Sequence, residues 1–496
     1  MSKLRPLPFA VLLAALPMAG CAVGPDFKAP AAPAATGYTD HPLTTTAATP
    51  DLAGGDAQRF RTGGDIPADW WTLFHSAPLN ALIAQALANN PDLKAAQAAL
   101  TVARENTLAQ RGAFFPHVTA GVAATREQDP SGSLAPVPSS NAFLYNLFTP
   151  QLSISYTPDV FGLNRRTVES AAAQEQAARF QMIAADVTLS SNVAVAAIQD
   201  ASLEAQVDAT RQLIDIDRKM LDIVRYQKQK GSASGVDLAA QQAQLAQTEA
   251  SLPPLVKQLA QQRNVLSVLA GRFPNQAPAE QFSLDSLQLP QDLPVSLPSE
   301  LVRQRPDILQ AEANMHAASA QVGIATANRL PNIQLTANAG STALAIGQVF
   351  GPGTGFWNIG ASLLAPIFDG GTLLHQQRGA RAAYVEAAQQ YRSAVLTACQ
   401  NVADTLTALE QDAATLKATA TAASAAKVAL DLAQRRYRDG YVGYLDVLNA
   451  EQADQQARIA LVQAQAARFA DTAALFQALG GGWWHRSDLK ASDHVQ

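Results

Sequence analysis

"NPDLKAAQAALTVARENTLAQRGAFFPHVTAGVA" runs from Asn90 to Ala123, and "RPDILQAEANMHAASAQVGIATANRLPNIQLTANAG" runs from Arg305 to Gly340. Pro91 and Pro116 stand 25 residues apart, and so do Pro306 and Pro331. Further along, "QKGSASGVDLAAQQ" (229–242) answers "RDGYVGYLDVLNAE" (438–451), with six residues from Gly231 to Asp237 and six from Gly440 to Asp446. The chain is an internal duplication, and such self-similarity sets the architecture before any local reading does. Each half reads as helix, strand, loop, strand, long helix, glycine turn, helix.

The strand segments are short and two-faced. In "QLSISYT" (151–157), Leu152, Ile154 and Tyr156 alternate with Ser153 and Ser155; in "NIQLTANAG" (332–340), Ile333, Leu335, Ala337 and Ala339 alternate with Gln334, Thr336 and Asn338. "HVTAGVAAT" (117–125) and "FWNIGASLL" (356–364) alternate more loosely. Alternation without charge on either face fits a membrane β-barrel strand with an apolar outside and a polar lumen. A soluble β-hairpin has the same pattern over so few residues, so the segments alone leave both open.

The helical segments exceed what a globule needs. No glycine or proline occurs from Leu163 to Lys230, and after Gly379 none recurs until Gly440. At 1.5 Å per residue the first stretch extends to about 100 Å, which means coiled coils or helical tubes. Pro253-Pro254 interrupts the returning helix of the first half, and the second half has no such pair. The two helical hairpins are therefore expected to be inequivalent.

"LPMAGCAVGPDF" (16–27) follows Lys3, Arg5 and a short apolar core, the pattern of a secretory signal peptide. Met18-Ala19-Gly20-Cys21 resembles a bacterial lipobox, whose cysteine becomes the acylated N-terminus. The alternative is an ordinary signal peptide with an incidental cysteine. In lipoproteins of this kind an aspartate after the cysteine retains the protein in the inner membrane; Ala22 stands here, which implies the outer membrane. The other cysteine, Cys399, lies in alanine-rich helical sequence and reads as a buried structural thiol. A net charge of −5 without basic clusters argues against nucleic acid as a partner. After the signal, no run of 18 apolar residues suggests a membrane-crossing helix.

Four strands cannot close a barrel, and an open edge in lipid leaves backbone groups unpaired at several kcal/mol each. Closure must come from further copies; three would give twelve strands, although two or four would also satisfy the edge argument.

"CAVGPDFKAP" (21–30), "WWTLFHSAPLNALIAQALANNPDLKAA" (70–96), "LPSELVRQRPDILQAEANMHAASAQVGIATANRLPNIQLTANAG" (297–340), "RRYRDGYVGYLDVLNAEQA" (435–453) and "QALGGGW" (477–483) together resemble the TolC-like outer-membrane factors of tripartite efflux systems, in the NodT or OprM-type lipoprotein branch. The resemblance implies a mainly α chain with a transmembrane β-barrel. The protein would be a homotrimer whose 12-stranded barrel, four strands per chain, continues into a long periplasmic α-helical barrel with an equatorial domain. It divides the sequence into a signal peptide (1–20), a lipidated equatorial segment (21–77), a first repeat (78–271), an equatorial linker (272–299), a second repeat (300–480) and a tail (481–496). Strands are expected near 116–126, 148–157, 331–341 and 355–365. Implied partners are a periplasmic adaptor, a proton-driven inner-membrane pump and outer-membrane lipid; the implied location is the cell outer membrane.

No catalytic or metal constellation is visible in the sequence: the seven histidines are scattered, and no HExxH or GxxxxGK[ST] occurs. The only non-protein group expected is the covalent lipid on Cys21. The glycine turns carry the functional reading. Gly231, Ser232, Gly235, Gly440 and Gly443 would reverse the chain, and the resemblance makes these turns the periplasmic tip where an adaptor docks. Beside the second turn lie Tyr437, Asp446 and Asn449, with Asp237 the first-half counterpart of Asp446. Asp446 and Asn449, three apart on a helix, share a face and would form rings at a pore mouth. Both aspartates also fit as solvated helix-start carboxylates favoured by the dipole, Asp446 the less so. Asn449 replaces an aspartate common in the resembling family, removing one acidic ring. Competing readings are the exit duct of a type I protein secretion system and a non-conducting periplasmic scaffold lipoprotein.

Overall fold

The computed structural model describes residues 22–130, 132, 137, 142–276 and 282–490. The signal peptide, Cys21 and the last residues of the tail lie outside the described residues. The order of elements is β1 (Arg59–Thr62), α1 (Ala77–Asn89), α2 (Pro91–Arg111), β2 (His117–Gln128), β3 (Leu144–Tyr156), α3 (Leu163–Gln229), α4 (Gly235–Leu269), β4 (Asp292–Val295), α5 (Pro298–Gln304), α6 (Pro306–Ala327), β5 (Asn332–Ser341), β6 (Gly355–Leu364), α7 (Thr372–Arg438) and α8 (Tyr444–Ala478). The chain forms two compact units: Met1–Ala29, Leu100–Ala177 and Ala311–Tyr391 make one, and Pro30–Ala99, Ala178–Gln310 and Arg392–Gln496 make the other.

The first unit is built on an antiparallel sheet in the order β2-β3-β5-β6, so β2 and β6 are its edges. Register sorts its side chains by face, because residues directly opposite each other point the same way. One face carries the rows Val118–Ile154–Ala337–Ile359 and Ala120–Leu152–Ala339–Trp357. The other carries Thr119–Ser153–Asn338–Asn358 and His117–Ser155–Thr336–Gly360. On that polar face Asn338 Nδ2 donates to Asn358 Oδ1 at 2.9 Å. Trp357 and Ile359 are 76% and 77% exposed on the apolar face of this chain. Apolar rows exposed on this chain, across a sheet whose other side is polar, are the pattern of a lipid-facing wall around a wet lumen.

The segment just after Cys21 is strapped onto the helices of this unit. Val23 N–H donates to Phe161 O at 3.0 Å, and the buried Arg166 guanidinium reaches Val23 O, Asp26 and Glu169. The Phe27 ring stacks on His316 with centroids 4.3 Å apart, and His316 Nε2 lies 2.9 Å from Glu169. Asp26 and Phe27 of the N-terminal motif are thereby accounted for by packing.

In the second unit β1 pairs in parallel with β4, and α1 buries Leu79, Leu82 and Ile83. Trp70 is fully buried, stacked on Phe476 at 5.2 Å with Phe74 edge-on. Trp483 Nε1 donates to Gln304 O at 2.7 Å, and Trp484 Nε1 to Asp65 at 3.0 Å. The buried Arg468 of α8 holds the carbonyls of Gly54, Asp56 and Leu409, pinning the N-terminal segment to the helices. Cys399 is half-buried, and burial pushes its thiol above the ordinary range, so it is no thiolate nucleophile.

One expectation is corrected here. The hairpins match in length: α3 and α7 each have 67 residues, and α4 and α8 each have 35. Pro253 and Pro254 lie inside α4 without ending it. Each proline frees the carbonyl four residues back, and Glu249 and Ala250 are both exposed, so water can satisfy them. The opposite side of α4 keeps Leu252, Leu255 and Leu259 packed on Leu203 and Val207 of α3. Among the described residues, α3 contains an 18-residue window of mean hydropathy 1.3, apolar enough by composition to cross a membrane. That window is 67% buried against neighbouring elements, so its hydropathy reflects core packing.

Candidate functional site

At the end of α3, Gly231 takes φ +79°; its N–H donates to Lys228 O, and Ser232 N–H donates back to Gln227 O at 2.9 Å. At the end of α7, Gly440 takes φ +76°; its N–H donates to Tyr437 O, and Tyr441 N–H donates to Arg436 O at 2.9 Å. Both turns are Schellman closures in which glycine supplies the left-handed residue and the last helical carbonyls find donors. A Cβ at either glycine would meet no atom of this chain within 4 Å, so the requirement for glycine is conformational.

The other two glycines have different jobs. Gly443 is the N-cap of α8, extended at φ −76°, whereas Gly235 is the first residue of α4. Neither has positive φ, so the left-handed residue of each turn is Gly231 or Gly440, and Gly235 and Gly443 stand where the next helix begins. Ser234 is the N-cap of α4. Its hydroxyl accepts from Asp237 N–H at 3.1 Å, and Asp237 Oδ2 accepts from Ser234 N–H at 2.8 Å, a complete capping box. These hydrogen bonds from Ser234 hold the Asp237 carboxyl below its usual range. In the second half Asp446 Oδ2 accepts from Gly443 N–H at 3.1 Å, but glycine has no side chain to reciprocate. Asp446 therefore caps its helix through one hydrogen bond, where Asp237 has two.

Helix α8 is sharply sided. Asp446 and Asn449 are exposed on one face; Tyr444, Val447 and Leu448 are buried on the other, against Val224 of α3 and Leu430 of α7. Tyr437 belongs with the packed face. Its hydroxyl donates to Gln227 Oε1 at 2.8 Å, its ring lies 5.3 Å from Tyr444, and burial raises its hydroxyl above the ordinary tyrosine range. The geometry thus brings Gly231, Ser232, Gly235 and Asp237 to one helix–helix turn, and Tyr437, Gly440, Gly443, Asp446 and Asn449 to the other. The Tyr437–Gln227 bond joins α7 to α3.

Behind these residues lies a buried polar group that sequence reading missed. Asp217 of α3 accepts from Thr248 Oγ1 at 2.7 Å, Gln241 Nε2 donates to Asp217 O at 3.0 Å, and Glu451 and Asp454 of α8 are almost wholly buried. A signal was present: Glu451 and Asp454 fall four and seven residues after Val447, on the apolar stripe. Among the described residues no group of histidine, cysteine or acidic side chains is arranged to hold a metal ion.

Comparison with known proteins sets this architecture in a family. The family model "Outer membrane efflux protein" matches residues 82–272 and 297–481, one match for each half of the duplication, and the chain belongs to that family. The pyoverdine export outer membrane protein OpmQ of Pseudomonas aeruginosa is 31% identical over 455 residues, covering 90% of this chain and 94% of that protein. The antibiotic efflux pump outer membrane protein ArpC of Pseudomonas putida is 29% identical, covering 95% of this chain and 94% of that protein. Among solved structures, the outer-membrane channel OprN superposes with a TM-score of 0.83 at 27% identity, covering 93% of this chain and all of that one. The protein is an outer-membrane efflux channel of the TolC-like fold.

Proposed function

We propose that three copies of the chain form the passive outer-membrane duct of a tripartite efflux system, taking small toxic molecules from an inner-membrane, proton-driven pump through a periplasmic adaptor. The open edges of the β2-β3-β5-β6 sheet support this reading most directly, since an apolar face places the sheet in lipid and lipid does not tolerate unpaired edges. Strand β2 of one copy beside β6 of the next removes every edge, and cyclic closure by three gives twelve strands. The turns at Gly231, Ser232, Gly235, Gly440 and Gly443 then serve as the adaptor-docking tip. Asp446, Asn449, Tyr437 and Asp237 serve as the entrance, the exposed α8 face lining it and the Tyr437–Gln227 bond holding it. A lipid on Cys21 is the only attached group this reading needs, and it asks no catalysis of the chain.

The test is reconstitution of the purified full-length protein in planar bilayers. Discrete channel openings are expected, alongside restored drug resistance when the chain is expressed with a cognate pump and adaptor in a channel-deleted strain. Bilayers that stay silent over a wide voltage range, together with no rescue, would rule the duct out.

A further inference from the structure

The inward stripe of α8 carries Tyr444, Val447, Leu448, Glu451 and Asp454, at the spacing of one helical face. Its first three members fill an apolar cluster with Val224 of α3 and Leu430 of α7. Glu451 continues that stripe at 3% exposure, and neither of its carboxyl oxygens has a hydrogen-bond partner. Nor does the hydroxyl of Tyr444, which is equally buried. An ionised carboxylate left in this state would be strongly disfavoured.

The one charged group that acts on Glu451 makes matters worse for a charge. From α3 comes Asp217, itself 3% exposed. From α7 comes Gln434, near enough to favour the charged form slightly but not in hydrogen-bond geometry, and Tyr437 lies beyond it on Tyr444. From α4, Gln241 and Thr248 hold Asp217, and Asp237 at the start of that helix acts on the adjoining Tyr444. On α8 itself Asp454 is paired with Arg458 at 2.7 Å, which commits the one cation on this stretch of the helix. Burial first, and Asp217 second, push the Glu451 carboxyl up to about 7, and burial raises Asp217 as well. Two buried carboxyls on facing helices share too little positive charge for both to ionise.

The outward face of the same stretch of helix bears Asp446 and Asn449. A force on the inward face is therefore a force on the residues proposed to line the entrance. We propose that Glu451 is a proton-keyed latch of that entrance: with a proton on its carboxyl, α8 stays packed against α3 and α7; without it, the charge facing Asp217 drives α8 off, carrying Asp446 and Asn449 with it. This deepens the duct reading and rests on it for its purpose, though the packing change does not depend on conduction. The direction follows from linkage. A carboxyl raised in the packed state stabilises packing fully below its unfolded value and loses that contribution as pH rises through about 7. Acid closes the tip, and alkali loosens it. If the released carboxyl returns to its ordinary value, the packed-to-released ratio falls by up to about a hundredfold per copy across that range.

Two readouts on the purified full-length protein test this between pH 5.5 and 8.5: open probability in planar bilayers, and deuterium exchange of amides 444–454 corrected for intrinsic rates. The wild type is expected to show a step near pH 7 in both. Glu451→Gln keeps the shape and removes the charge, so it should stay at the acid level throughout; Asp217→Asn should move the step to lower pH. A Glu451→Gln profile that retains the wild-type step overturns the latch, and so does a wild type without one. If Glu451→Gln fails to assemble, Asp217→Asn decides alone, and an unmoved midpoint overturns the proposal. A pH step in exchange with no conductance at any pH supports the latch as a packing device while removing the duct reading.

Discussion

Replacing Gly440 with alanine isolates what the turn demands. At φ +76° an L-residue is in the left-handed region, which costs roughly 1–2 kcal/mol, and a Cβ there meets no atom of this chain within 4 Å to add to or relieve that cost. The whole penalty therefore falls on the closure in which Tyr441 N–H reaches Arg436 O. Local opening of the turn should rise about 5- to 30-fold. Deuterium exchange of amides 437–443 measures this directly, while the trimer band on a native gel reports whether the rest of the protein is intact. Gly440→Asn should open several-fold less than Gly440→Ala, because asparagine tolerates the left-handed region better. Equal exchange in the alanine and asparagine variants, or exchange equal to wild type in both, would refute the conformational argument. Valine, β-branched and worse suited still, should abolish efflux at Gly440 and at Gly231 without dissolving the trimer.

Asp446→Ala should lower cation selectivity in planar bilayers if three copies ring the entrance, and unchanged selectivity would reduce Asp446 to a helix cap. Ser234→Ala should cost about 1 kcal/mol of local stability at the start of α4, read as faster exchange at residues 234–238. The contribution of Asp237 to that cap is present above its unfolded value and fades as pH falls through its depressed folded value, so exchange there should quicken only in acid. Cys21→Ser behind a cleavable signal should still give channels, because a closed barrel holds the membrane by itself; complete loss of trimers from the outer membrane would contradict this.

The fold was legible where local chemistry and global architecture agree. Leu152 and Ile154 against Ser153 and Ser155 state two faces. A glycine-free run ending at Gly231 states one long helix and its stop. What escaped was decided by environment. The effect of Pro253-Pro254 depends on whether the carbonyls of Glu249 and Ala250 face water, and only packing on Leu203 and Val207 fixes which way α4 turns. Asp217 and Glu451 lie 234 positions apart, and no local rule pairs them. Tyr437 was legible as a neighbour of the turn, but the groups it meets there, Tyr444 and Gln227, are set by the helix twist and by a partner 210 positions away. The strap from Ala22 to Phe27 showed only as a family motif, its purpose hidden until Arg166 and His316 met it.

The matched hairpins also constrain how such a gene can change. The strand regions of the two halves differ freely: β2 and β3 have 12 and 13 residues, β5 and β6 have 10 each, and 129–143 and 342–354 are connections of different length. No such drift is seen in the long hairpin helices, where 67 answers 67 and 35 answers 35. A single codon lost from α3 would shorten one hairpin by about 1.5 Å and rotate everything beyond it by about 100°. The buried stripe would then turn outward, and one of the two turns would no longer meet a partner at the same level. Insertions are expected to accumulate in the strand connections during divergence, whereas length changes in the hairpins should survive only in whole multiples of the helical repeat and in both halves together.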